Sequence, residues 1–91
     1  MYQKIVNIKK HKCEVYIGRH SIFGNPFVIG KDGTREEVIE KYKNYFYDRL
    51  EKDIHFKNEV KKLKNKVLGC FCKPLACHGD VIVEYLSKEN E

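Results

Sequence analysis

Val38, Ile39, Tyr42, Tyr45, Phe46 and Leu50 recur at helical spacing and predict a helix with one broad apolar face. Thr34 opens that helix. Glu37 stands three residues later, where its carboxylate can reach back to the amide of the capping residue. A shorter helix is predicted over 56–65, where Phe56, Val60 and Leu63 follow at offsets of four and three. DVIVEYLSK predicts a closing helix with Asp80 in its first turn, a favourable place for a carboxylate near the positive end of the helix dipole.

Other stretches alternate with period two or are apolar throughout. Residues 3–9 and 13–17 are β-prone: in CEVYI, Cys13, Val15 and Ile17 share one face while Glu14 and Tyr16 share the other. HKC between the two runs reads as a turn, so they are expected to pair as a hairpin. KVLGCFC is a compact apolar run bounded by Asn65 and Pro74, which suits a buried central strand. The glycine-rich text from 18 to 33 reads as a long ordered loop with a short strand over 27–29.

The predicted order is strand, strand, loop, helix, helix, strand, helix. Two helices joining the strand at 13–17 to the strand at 66–72 form a crossover, which is parallel and right-handed in this kind of sheet. The fold class is therefore α/β: a small two- or three-layer, Rossmann-like domain with a short, partly parallel sheet of three or four strands and about three helices. Ligands in such sheets gather beyond the carboxyl ends of the strands. Those ends are Gly18-Arg19-His20 and Cys72-Lys73-Pro74, so two chemically unusual segments are expected to meet.

Composition narrows the rest. Ninety-one residues with 42% hydrophobic and 34% charged side chains suit a single domain spanning 1–91. No apolar stretch is long enough to cross a bilayer, and nothing resembles a secretion signal, so a cytoplasmic location is expected. In that reducing compartment the four cysteines read as thiols or metal ligands, and no structural disulfide is expected. The net charge of +5 comes largely from KNEVKKLKNK over 57–66. That face reads first as a solvated helix surface. Nucleic-acid binding is a minor option, because no arginine or aromatic is interleaved for base stacking.

The candidate chemistry lies in GCFCKPLACHGD and IGRHSIFGNPF. Cys70, Cys72, Cys77 and His78 are zinc-type ligands, but their C-x-C-x4-C-H spacing differs from the paired C-x2-C knuckles of closed structural sites. Alternatively, Cys77 at a helix start sees unpaired amides and the positive dipole end, which favour thiolate. His78 and Asp80 would then be its catalytic companions. The bland reading makes Cys70 and Cys72 small buried residues and Cys77 and His78 mere caps, with Cys13 a core residue. In the other segment, Arg19 follows a strand and a glycine and carries a planar fork suited to phosphate or carboxylate. Ser21, Asn25, Arg35 and Lys73 are further candidates for holding an anion.

On these residues the chain resembles a family of small uncharacterised domains found in bacteriophages and bacteria. VYIGRHSIFGNPFVIG, TREEVIEKY and KVLGCFCKPLACHGDVI carry the resemblance, which covers roughly 15–84. The family pattern maps onto Gly18 and Arg19, Gly24 to Phe27, and Cys70, Cys72, Pro74 and the Cys77-His78-Gly79-Asp80 turn. His20 stands where a small residue, often glycine, is expected, and Phe71 replaces an expected tryptophan. The resemblance implies the fold and the residue list and brings no reaction with it.

Two functions from different classes fit. The first is binding of an anionic small molecule, phosphorylated or nucleotide-like, between the GR/GNPF loop and the cysteine turn, with enzymatic use of Cys77 open. The second is a zinc- or iron-stabilised protein-interaction module of phage or mobile-element origin, without catalysis.

Overall fold

The computed structural model describes residues 3–71, 73 and 75–88. Among them run β1 (Ile5–Asn7), β2 (Val15–Tyr16), α1 (Arg35–Lys52), α2 (Ile54–Lys61), β3 (Leu68–Cys70) and α3 (Gly79–Lys88). β3 is buried at every position and lies in the middle of the sheet, in the order β1-β3-β2 with both ladders parallel. Leu68 faces both Ile5 and Val15, and Cys70 faces Asn7.

The expected hairpin between the first two runs therefore does not form. A two-stranded ribbon is marginal in water, whereas β3 offers a fully apolar centre to which both edges can bond. The chain instead turns at Asn7: the Asn7 carbonyl accepts from Lys10 N and His11 N, each at 3.0 Å, while its side-chain Oδ1 accepts from Lys9 N at 2.9 Å. The following residues then run back over the sheet. A β-carbon on Gly69 would lie 2.7 Å from Cys13 Cβ, so glycine is required where this segment crosses the central strand.

The other sheet face bears Ile5, Val15, Ile17, Leu68 and Cys70 and packs on the helices. The result is two layers, one helical and one strand, with a bare segment of chain on the outer face. Phe46 of α1 anchors the helical layer, its ring centre 5.7 Å from those of Tyr42, Phe56 and Tyr85. None of its surface is exposed. Phe56 and Tyr85 lie edge-on to Phe46 and Tyr42 lies stacked on it, both arrangements that the ring quadrupoles allow.

The helix ends follow the sequence. Thr34 and Glu37 form the complete capping box, Glu37 N donating to Thr34 Oγ1 at 3.2 Å and Thr34 N to Glu37 Oε1 at 2.9 Å. The bond from the Thr34 amide holds the Glu37 carboxyl below its ordinary range. Asp53 ends α1 with its own amide and starts α2 with its carboxylate, which accepts from Phe56 N at 3.1 Å. That cap moves the start of the second helix two residues ahead of the expected 56. The expected strand over 27–29 reduces to one bridge between Ile29 and Gly33.

Candidate functional site

The loop between β2 and α1 has almost no regular structure, yet its backbone is held at many points by side chains. Asn25 accepts from Phe27 N at 2.9 Å and donates to Val38 O at 3.3 Å, closing the GNPF bend onto α1. Asp32 Oδ2 accepts from Val28 N, and Lys41 Nζ donates to Asp32 O. Deeper, the Tyr42 hydroxyl donates to Phe23 O at 2.8 Å. Burial pushes that phenol well up, so it keeps its proton as a permanent donor. Arg49 reaches Ile22 O at 3.3 Å. One helix thus fixes a loop that the backbone alone would leave loose.

The turn before α3 is held from within. Asp80 Oδ2 accepts from Cys77 N at 3.1 Å, capping the helix start, and Asp80 Oδ1 pairs with Lys73 Nζ at 2.7 Å. His78 is 6% exposed, and its Nε2 donates to Ile17 O at 2.6 Å, tying the end of β2 to the start of α3. Its ring lies edge-to-face on Tyr42 at 5.1 Å. Burial lowers the His78 pKa, so the imidazole is neutral with its proton on Nε2. A β-carbon on Gly79 would lie 2.7 Å from Ile17 Cδ1, so glycine lets the helix start sit directly on the sheet.

Loop and turn face one another across a cleft of about 200 Å³. Arg19, Asn25 and Arg35 stand on its loop and helix side, with Cys70, Cys77 and His78 on the sheet and turn side. The Arg35 guanidinium donates to Ala76 O at 3.1 Å, bridging the two sides. Apolar wall is supplied by Phe27, Ile29, Val38, Ile39 and Phe71. Among the described residues no carboxylate lines the cleft, and no ion pair engages Arg19 or Arg35. Gly18 and Arg19 thus share the cleft with Cys70, Phe71 and residues 76–78, as the parallel exits of β2 and β3 lead one to expect, whereas Lys73 of the expected strand end lines another groove.

The other predicted residues lie elsewhere. Ser21 donates to Gly18 O at 2.6 Å and lines a shallower groove with Arg49 on the far side of the loop. Lys73 lines a groove along β1, while its partner Asp80 is not part of the cleft lining. His20 has φ of 71°, in the left-handed region that glycine enters without strain. The apolar wall was missed in the sequence, although Ile29 and Phe71, 48% and 54% exposed, are large side chains that a purely structural loop does not need.

Cys77 differs from the thiolate expected of a helix start. Its amide is given to Asp80, and its sulfur is turned inward to 3.5 Å from Cys70 Sγ, leaving 2% of the residue exposed. The hydrogen bond with Cys70, reinforced by burial, pushes the thiol pKa up, outweighing the bond from the Gly79 amide. Cys77 is a neutral thiol in this arrangement. Cys72 and Pro74, both named in the sequence reading, lie outside the described residues. Among the described residues no group of three histidine, cysteine or acidic side chains is placed to hold a metal ion. No helix among them is long and apolar enough to cross a membrane.

Residues 3–88 match the family model described as a domain of unknown function, DUF4326. The chain is 37% identical over 86 residues to the "Uncharacterized 12.4 kDa protein in nrdA-td intergenic region" of Enterobacteria phage T4. That alignment covers 93% of this chain and 78% of the phage protein. It is also 32% identical over 104 residues to "Uncharacterized protein R718" of Acanthamoeba polyphaga mimivirus, covering 88% of this chain and 76% of the viral one. No solved structure matches.

Proposed function

The chain belongs to the DUF4326 family of domains of unknown function, and from that premise we propose that this member binds a small anionic ligand, phosphorylated or nucleotide-like, in the cleft beyond β2 and β3. One observation carries the reading: two guanidiniums from separate segments converge on a cleft with no lining carboxylate among the described residues. Arginine forks match phosphate and carboxylate oxygens in pairs, and a half-enclosed, mostly apolar setting strengthens each such bond. The amide of Asn25 is already oriented by its bonds to Phe27 and Val38.

Size limits the ligand. A cleft of about 200 Å³ is smaller than the ~300–1,000 Å³ of drug-sized sites, so it takes a phosphate and the group next to it rather than a whole dinucleotide. Phe71 and Ile29 at its margin offer apolar contact to whatever the anion carries. In this reading Cys77 and His78 shape the floor. Nucleophilic use of Cys77 requires its sulfur to leave Cys70 when ligand binds, so alkylation of Cys77 that speeds up with ligand present would reveal it.

Titration with inorganic phosphate and with adenosine monophosphate, followed by amide NMR shifts, tests the reading. Shifts are expected at residues 18–25 and 76–79. Arg19→Ala and Arg35→Ala should each weaken binding about 10- to 100-fold, as expected for charge-assisted bonds of ~1.5–3 kcal/mol, while circular dichroism stays unchanged. Folded variants that bind as tightly as the parent overturn it.

A further inference from the structure

In a parallel sheet every strand enters at the same rim, so the segments that precede the strands converge at the end opposite the cleft. Here the segment entering β3 is KKLKNK, and the segment entering β1 contains Lys4. Direct bonds join them. Gln3 Nε2 donates to Leu63 O and, at 2.8 Å, to Lys66 O, and Leu68 N donates to Lys4 O at 3.0 Å. From Lys4 a groove of about 440 Å³ continues along the outer edge of β1, past Lys10 and His11 to Lys73. Two lysine-rich stretches some fifty residues apart in sequence thus form one continuous cationic track.

What sets this track apart is the closeness of its lysines along two joined segments. On α1 and α3, Lys52, Arg49 and Lys88 are paired along their own helices with Asp48, Asp53 and Glu84, while Arg35, Lys41 and Lys43 of α1 form no ion pair among the described residues. On the track, Lys62 pairs with Glu59 and Lys73 with Asp80. Lys4, Lys10, Lys61, Lys64 and Lys66 are exposed and, among the described residues, no carboxylate forms an ion pair with any of them. Ammonium groups gathered along these joined segments repel one another, and a polyanion lying across them relieves that repulsion.

We infer that this lysine track, running from the strand-entry rim along the β1 edge, is a second binding surface, separate from the cleft, that takes the phosphate backbone of a nucleic acid without reading its sequence. Lysine rather than arginine suits point contact with phosphates, not forked recognition of base edges. No aromatic side chain lines the groove for base stacking, which favours duplex over single strands. A membrane surface fits less well. The exposed large apolar side chains Ile22, Ile29, Ile54, Phe71 and Leu75 are absent from the groove lining, so nothing there would insert among lipids.

Fluorescence anisotropy with a labelled 20-base-pair duplex of mixed sequence, from 50 to 200 mM salt, tests the inference. With about five phosphates neutralised, log K should fall against log salt with a slope near −4, a loss of several hundredfold over that range. The triple variant Lys4→Gln/Lys64→Gln/Lys66→Gln should lower the slope by about three and weaken binding more than tenfold at 50 mM. Arg19→Ala/Arg35→Ala should bind duplex within about twofold of the parent. A second, unrelated duplex should bind equally, and phosphatidylserine vesicles should not compete. Absence of duplex binding at 50 mM salt, affinity indifferent to salt, or an unaffected triple variant overturns the inference, as does binding to the vesicles alone.

Discussion

The two walls of the cleft are built on opposite principles. The turn wall is buried, neutral and internally bonded: Cys77 is turned against Cys70, and His78 is locked to Ile17 O. The loop wall is exposed and cationic, and nearly all its order comes from α1 through Asn25, Lys41, Tyr42 and Arg49. Residues that make a rigid floor are poor ligands for a charge, because their polar atoms are already spent on the protein. Residues that can greet an anion must keep their donors in reserve, so something else has to position them. The molecule separates the two tasks between its two walls.

If that separation holds, the walls should fail differently. The largest effect is expected from His78→Ala, which strips a buried carbonyl of its donor and leaves a gap beside Tyr42, at a cost of about 3 kcal/mol in a urea or thermal melt. His78 also brings pH dependence. Its pKa is depressed in the fold, so the unfolded chain takes up the proton first as pH drops below the ordinary value of 6.5. The stability it confers is complete above that value and declines beneath it. Parent protein should therefore melt lower at pH 5.5 than at pH 7.5, and part of that difference should vanish in the variant.

Tyr42→Phe should cost less, about 1–2 kcal/mol, through the orphaned Phe23 carbonyl, and should speed hydrogen exchange in the loop more than in the turn. Uniform acceleration of both walls would contradict the separation. His20→Gly should hold or raise stability, by at most about 1 kcal/mol, since it relieves a left-handed backbone. Smallest of all, Arg19→Ala should change stability by less than about 0.5 kcal/mol, the usual range for an exposed side chain without a structural role, although it is expected to lower anion affinity severely. A collapse of the fold in that variant would make Arg19 structural.

Much of this was visible in the sequence where local rules apply. The Thr34–Glu37 box and the periodic face from Val38 to Leu50 depend only on neighbours along one helix, and both are present as read. KVLGCFC announced a central strand by being apolar on both faces. The hairpin failed because sequence closeness favours pairing of adjacent runs, and only the complete chain reveals a third segment that satisfies both. Gly69 carried a trace of this, since a glycine amid a buried strand signals another backbone close by. At the site, segment convergence followed from parallel topology. The direction of the Cys77 sulfur did not, because it depends on Asp80 taking the Cys77 amide, a choice set by the helix start in three dimensions.

The central position of β3 has one more consequence. While the polypeptide is being synthesised, the first two strands emerge with no common neighbour to bond, and α1 leaves the ribosome long before Leu68–Cys70 can join the sheet it covers. Most of the hydrocarbon that will become interior must wait in water or in the company of a helper. Folding is then a concerted event that waits for β3 and α3, and truncation before Leu68 should yield an aggregating fragment rather than a smaller native protein.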